Sequence, residues 1–205
     1  MLFRSAYDLS YDGSMLIHDV SGGTAPDRAG NLAGHRGAGG DASMSYSLVK
    51  LGEIVDFVGG GTPSRDIESY WNGGIPWASV KDFKGQSIDD TKERISPEGL
   101  ANSSSTVIPA GHVIIPTRMA LGKAAINSVD IAINQDLKAL IPKTAVSERY
   151  LMHALLARSG EIQSLGKGAT VKGVTIDRLS SLEIPLPPLE EQRRIAADRK
   201  STRLN

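Results

Sequence analysis

Cysteine is missing from all 205 residues, which excludes disulfide staples and thiolate metal sites. A chain without cysteine suits a reducing compartment, and bacterial cytoplasm is the expected location. Net charge is also missing: 23 Lys and Arg stand against 23 Asp and Glu. A uniformly basic nucleic-acid binder is therefore excluded, and any contact with phosphate must come from basic residues gathered on one face or from a partner. Aromatic residues are scarce at 5%. No apolar run approaches the ~18 residues of a membrane span. The amino terminus offers no secretory signal, because Arg4, Asp8 and Asp12 interrupt Leu2–Leu16. What remains is an ordinary globular composition, 40% hydrophobic and 22% charged, long enough for one domain, or one and a small appendage.

The chain divides by composition. Residues 1–43 carry 8 of the 22 glycines, and Ser21–Asp41 has neither helical nor strand period, so this leader is expected to be disordered or non-native. Globular patterning begins at Met44 and runs to about Ala197. The last stretch, Asp198–Asn205, looks like a translation of a common sequencing adapter, and Met1–Ser5 resembles a translation of that adapter's reverse complement; the alternative is ordinary polar tails. The expectation is that 198–205 and the extreme start are not biological and that the insert is a fragment of a longer gene. Removing both ends takes away six basic and six acidic residues and leaves 17 of each, so the charge balance is unaffected.

Within 44–197 the pattern is mixed. Leu48–Val58 reads as a short helix or a helix–strand transition, stopped by Gly59-Gly-Gly-Thr-Pro63. Ile75–Val80 is a strand, and Thr106–Ile115 is a hairpin turned at Pro109-Ala-Gly111. Ala124–Ile133 and Leu137–Ile141 are further strands. Ser147–Leu165 is the clearest helix, closed by Gly166, with Tyr150, Leu151, Ala154, Leu155, Ile162 and Leu165 largely on one stripe. Thr175–Leu182 is a short helix. Three prolines keep Ile184–Pro188 extended, and Leu189–Ala196 opens a last helix. The expected class is α+β: a compact domain over 44–188 with a mixed, twisted β-sheet and flanking helices, leading into the start of a long spacer helix at 189–197.

Motifs for catalysis are lacking. There is no nucleophile elbow and no phosphate loop with its lysine. Leu186-Pro-Pro-Leu189 lacks the amide and the aromatic of an adenine-methyltransferase signature. The four histidines, His18, His35, His112 and His153, form no metal set.

Several segments, in order and spacing, resemble the specificity subunit of Type I restriction-modification systems. They are Gly60-Gly-Thr-Pro-Ser-Arg65, Tyr70-Trp71, Gly73–Trp77, Ser79–Asp82, Gly122–Ile126, Ala132–Asp136, Gly168–Gly173, Leu182–Leu189 and Glu191-Gln192 with Ile195-Ala196. The resemblance spans about Leu48–Ala197. It implies a target-recognition domain that binds double-stranded DNA sequence-specifically, reading one half of a bipartite site. It implies no catalysis and no cofactor in this chain. The implied partners are DNA, a methyltransferase subunit that binds S-adenosylmethionine and methylates adenine, and a restriction motor-nuclease subunit. The resemblance further implies a second recognition domain, expected to lie outside this sequence.

Candidate contact residues follow. In the loop Gly59–Arg65, Thr62 and Ser64 offer hydroxyls and Arg65 paired hydrogen bonds to phosphate or guanine; the alternative is a plain turn with Ser64 as a cap. Lys81 is placed to meet the sugar-phosphate backbone, or else pairs with Asp82. Arg118 and Lys123 could reach phosphate or be ordinary surface charges. Gln135 carries an amide suited to adenine, although a structural role is as compatible. Lys167, Thr170 and Lys172 sit in a second glycine-rich loop with no acidic residue between Glu161 and Asp177, suited to backbone anchoring. Trp71 and Trp77 are expected in the core rather than as stacking platforms. Two other functions compete: the recognition part of a fused restriction-methylation enzyme, and an interaction module that binds no nucleic acid.

Overall fold

The computed structural model describes residues 7–9, 15–17, 46–166 and 173–201. In the amino-terminal segment, β1 (Tyr7–Leu9) and β2 (Met15–Ile17) pair antiparallel; the rest of 1–43, including Ser21–Asp41, lies outside the described residues. The main body opens with β3 (Leu48–Lys50), α1 (Leu51–Ile54), β4 (Val55–Gly59) and β5 (Trp71–Ala78). Next come β6 (Ser87–Ile88), β7 (Glu93–Ile95), α2 (Pro97–Ala101), β8 (Thr106–Ile108) and β9 (Val113–Pro116). Then follow β10 (Ala125–Asn127), β11 (Ile131–Ile133) and β12 (Leu137–Pro142). The chain finishes with α3 (Glu148–Ala157), α4 (Ser159–Leu165), α5 (Ile176–Ser180), β13 (Glu183–Pro185) and α6 (Leu189–Ser201).

The class is α+β with mixed sheets, as expected, but the strands divide between two main sheets instead of one. One has five strands in the order β4-β12-β9-β10-β6, the other four in the order β7-β5-β11-β8. Period-2 alternation explains why they stack. Val113 and Ile115 on β9 point to a cluster with Leu51, Leu140, Leu151 and Leu155, the helix side. Ile114 between them joins Ile108, Ile131, Ile133, Leu137 and Ala139, which fill the space between the sheets. Ala132, on the opposite face of β11 from its neighbours, meets Trp77 and Ile95. Each fully buried Leu or Ile in these layers contributes roughly 1.5–3 kcal/mol.

Three expected elements are corrected by this arrangement. Pro109-Ala-Gly111 does not turn a hairpin: β8 pairs with β11 in one sheet while β9 pairs with β10 and β12 in the other. The segment is a crossover, and Gly111 takes a φ of 97° to make it. Ala124–Ile133 likewise splits into β10 and β11, which belong to different sheets. Buried Asn127 ties both crossovers together. Its Nδ2 lies within hydrogen-bond distance of the carbonyl oxygens of Ile108, Pro109 and Val129, which share its two N–H bonds, and its Oδ1 accepts from His112 N at 2.9 Å. The Ser147–Leu165 helix breaks at Arg158 into α3 and α4, where Ser159 and Gly160 are poor helix formers.

The carboxy-terminal strap is fixed rather than loose. β13 pairs with β3, the Tyr150 hydroxyl donates to Pro185 O at 2.7 Å, and the buried Gln192 amide bridges Ser147 N and Pro187 O at 2.8 Å each. Ile195 and Ala196 then pack on Tyr150 and Ala154. That contact explains the Glu191-Gln192 and Ile195-Ala196 pattern. The helix runs on past Ala197 to Ser201. No helix among the described residues is long and apolar enough to cross a membrane.

Candidate nucleic-acid interface

Loop 59–65 leaves the end of β4 in the five-stranded sheet and meets β11 of the four-stranded one, where Gly61 N donates to Ile133 O at 3.1 Å. Gly60 needs its bare backbone there, because a Cβ would fall 1.9 Å from Ile133 O. The two tryptophans hold the loop from below. Trp77 Nε1 donates to Gly61 O at 3.1 Å and Trp71 Nε1 to Ser64 O at 2.9 Å, with the rings edge to face at 5.2 Å. Trp77 is 2% exposed and Trp71 half-buried, so both serve the core and the loop together.

Arg65 lies over Trp71, its Cζ 3.5 Å from the ring centroid, in cation–π contact. Its Nη1 and Nη2 donate to the two carboxylate oxygens of Glu93. Of five N–H bonds, three lie outside that pair. The Arg65 hydrogen bond holds the Glu93 carboxyl below the usual range, assisted by the charges of Arg65 and Lys81 and opposed by partial burial. Lys81 sits on a single 3-10 turn, Val80–Asp82, closed by Ser79 and Asp82 as a capping box. Buried Asp82 accepts from Ser79 N at 2.8 Å and Lys92 N at 2.9 Å. It thus serves the backbone rather than pairing with Lys81.

The third contribution is the β11–β12 turn. Thr62 donates its hydroxyl hydrogen to Gln135 Oε1, which fixes the amide so that Nε2 faces away from the threonine. Lys138 Nζ lies behind, 3.5 Å from Gln135 O, and burial pushes its ammonium pKa down while Asp136 pulls it up. The fourth is the turn after β9. Arg118 pairs with Asp136 at 3.7 Å, and Met119 follows with a φ of 61° and a side chain 73% exposed.

These pieces surround one cavity of about 250 Å³, lined by Thr62, Arg65, Lys81, Met119 and Gln135 among others. Four of the ten sequence candidates thus meet there, and Arg118 adjoins them through Met119 and Asp136. Ser64 does not line the cavity; its hydroxyl accepts from Asp66 N at 3.3 Å, a turn role. Lys123 is also apart from the lining, its ammonium donating to Phe83 O at 3.2 Å. Lys167, Thr170 and Lys172 lie outside the described residues. The residues that flank them are placed: a Cβ on Gly166 would meet Leu121 Cδ1 at 2.3 Å, and Gly173 bridges Arg118. Both ends of that segment therefore rest on the 117–122 turn.

Met119, Glu93 and Lys138 were not anticipated from sequence. A methionine after a strand has no distinguishing pattern, and Glu93 lies 28 residues from its arginine. Elsewhere, His112 Nδ1 contacts Glu148 at 2.8 Å, and among the described residues no group of three or more His, Cys, Asp or Glu is placed to hold a metal. The cavity lining is richer in hydrogen-bond donors than in acceptors, which fits an acceptor-rich ligand.

A model of the Type I restriction modification DNA specificity domain matches residues 45–197, and the chain belongs to that family. It is 37% identical over 152 residues to the EcoR124I/EcoR124II specificity subunit of Escherichia coli, covering 71% of this chain and 38% of that protein. It is 29% identical over 162 residues to the MjaIX specificity subunit of Methanocaldococcus jannaschii, covering 77% and 38%. The crystal structure of the HsdS subunit from Thermoanaerobacter tengcongensis superposes with a TM-score of 0.60 at 27% identity, over 81% of this chain and 39% of that one. The chain thus spans about 38% of the length of these curated relatives.

Proposed function

We propose that this chain reads one half of a bipartite target in double-stranded DNA for a Type I restriction-modification complex, and that it performs no chemistry itself. Methylation of adenine and cleavage would belong to a methyltransferase subunit and a motor-nuclease subunit. The observation that carries the reading is the meeting of Thr62, Arg65, Lys81 and Gln135 around one cavity in a chain with no net charge. A neutral body with a donor-rich rim suits local contact with a duplex.

In this reading Lys81, Arg118 and the outer N–H groups of Arg65 meet phosphate, with Lys167, Thr170 and Lys172 adding backbone anchoring and Lys123 a peripheral charge. Gln135, oriented by Thr62, faces a base edge. The test is selection from a randomised duplex library by the chain together with a Type I methyltransferase subunit. Enrichment of a defined half-site is expected, with affinity falling steeply with salt. Lys81→Gln should lower the salt slope by about one and leave sequence preference alone. Absence of any enriched sequence, with salt-independent association, would overturn the proposal in favour of an interaction module that binds no nucleic acid.

A further inference from the structure

We infer that Met119 determines part of the specificity by packing on the C5 methyl group of a thymine in the major groove; this rests on the DNA-binding reading above. The backbone of Met119, at φ 61°, lies in the left-handed region that L-residues other than Asn and Asp seldom occupy. The other described non-glycine residue there is Asn72, at φ 59°, a residue type suited to it. A glycine would relieve the strain at 119 and expose less apolar surface. With 73% of its surface exposed, Met119 contributes little to the packing of the fold, and its thioether arm is available to a docking partner.

The turn that carries the arm is held in place. Ala120 N donates to Arg118 O at 2.8 Å and Lys123 N to Ala120 O at 3.2 Å. Gly122 seats the turn against Ser159, where a Cβ would come within 2.7 Å of the carbonyl oxygen. The cavity that Met119 borders is also lined by polar Thr62, Arg65, Lys81 and Gln135 and by apolar Trp77 and Val80; Trp77 is buried and Val80 half-buried, so Met119 is the apolar group that stands exposed at the rim. The edges of base pairs in the major groove present a matching pattern: donors and acceptors with a single apolar feature, the thymine methyl. An unbranched, polarizable side chain adapts readily to such a small target.

The half-site enriched by the wild-type chain supplies the duplexes for the test. Each thymine in it is replaced singly by uracil, and affinity is measured for wild type, Met119→Ala and Met119→Leu. One replacement should weaken the wild type roughly 3- to 10-fold, the scale of one buried methyl group. The same replacement should leave Met119→Ala unaffected, and Met119→Leu should retain part of the difference. Indifference of the wild type to uracil at every position would overturn the inference, as would an equal penalty in wild type and Met119→Ala. If those occur with a half-site still enriched, only the role of Met119 falls. If the wild type enriches no sequence, the DNA-binding reading fails first. Met119 is exposed, so the variants should fold, and thermal melting checks that they do.

Discussion

The loop 59–65 and the turn 117–122 border the same cavity but are built on opposite principles. The first is held from several sides: two indole donors, a cation–π stack, a two-point ion pair and a glycine pressed on β11. The second is held by its own short hydrogen bonds and then strained at its tip, where Met119 stands exposed in the left-handed region. A recognition surface needs both kinds of element. In the role proposed above, rigid parts would fix where the contacts fall, and a strained residue is the kind that clusters at functional sites.

The comparison can be broken most forcefully at Trp77. Trp77→Ala should destabilise the fold by about 3–5 kcal/mol in chemical denaturation, whereas Trp71→Ala, at a half-buried ring, should cost clearly less. Equal losses would mean that the loop, not the core, dominates the contribution of both rings. A change of opposite sign is expected across the cavity: Met119→Gly should raise stability by about 1 kcal/mol, the relief of left-handed strain less the flexibility that glycine adds to the unfolded chain. A destabilised Met119→Gly would place the side chain in the core economy of the turn.

The smallest effect concerns Glu93. Its carboxyl is held below the usual range by Arg65, so its stabilising contribution is present above that range and is lost as pH falls through the depressed folded value. Half-exposed pairs contribute about 0–1 kcal/mol. Below ~pH 4.3 wild type and Glu93→Gln should therefore converge in stability, and near neutrality the variant should be slightly weaker. Parallel curves at all pH values would remove the ion pair from the account of the loop.

What could be read from sequence follows physical lines. Strand β12, the short helix α5 and the extended strap are legible because alternation, Thr175 as a cap and consecutive prolines act locally. The capping box at Ser79 and Asp82 and the glycine demand at Gly60 also leave local traces in the sequence. The crossovers were not legible. Pro109-Ala-Gly111 has the composition of a hairpin turn, and only Asn127, reaching back nearly twenty residues, distinguishes the two outcomes. The break at Arg158 was hidden because the apolar stripe continues through it. At the cavity, Gln135 and Thr62 are 73 residues apart, and no local pattern links them.

The pairing of β3 with β13 has a consequence for how the protein is made. Leu48–Lys50 finds its partner only in Glu183–Pro185, and β4 finds β12 only after some eighty residues. Contacts of such sequence separation are slow to close. During synthesis Phe57 must wait for β12, and Val49 must wait with its apolar surface uncovered until nearly the whole body has emerged. Nascent chains halted before residue 183 should engage chaperones, and those released after it should not.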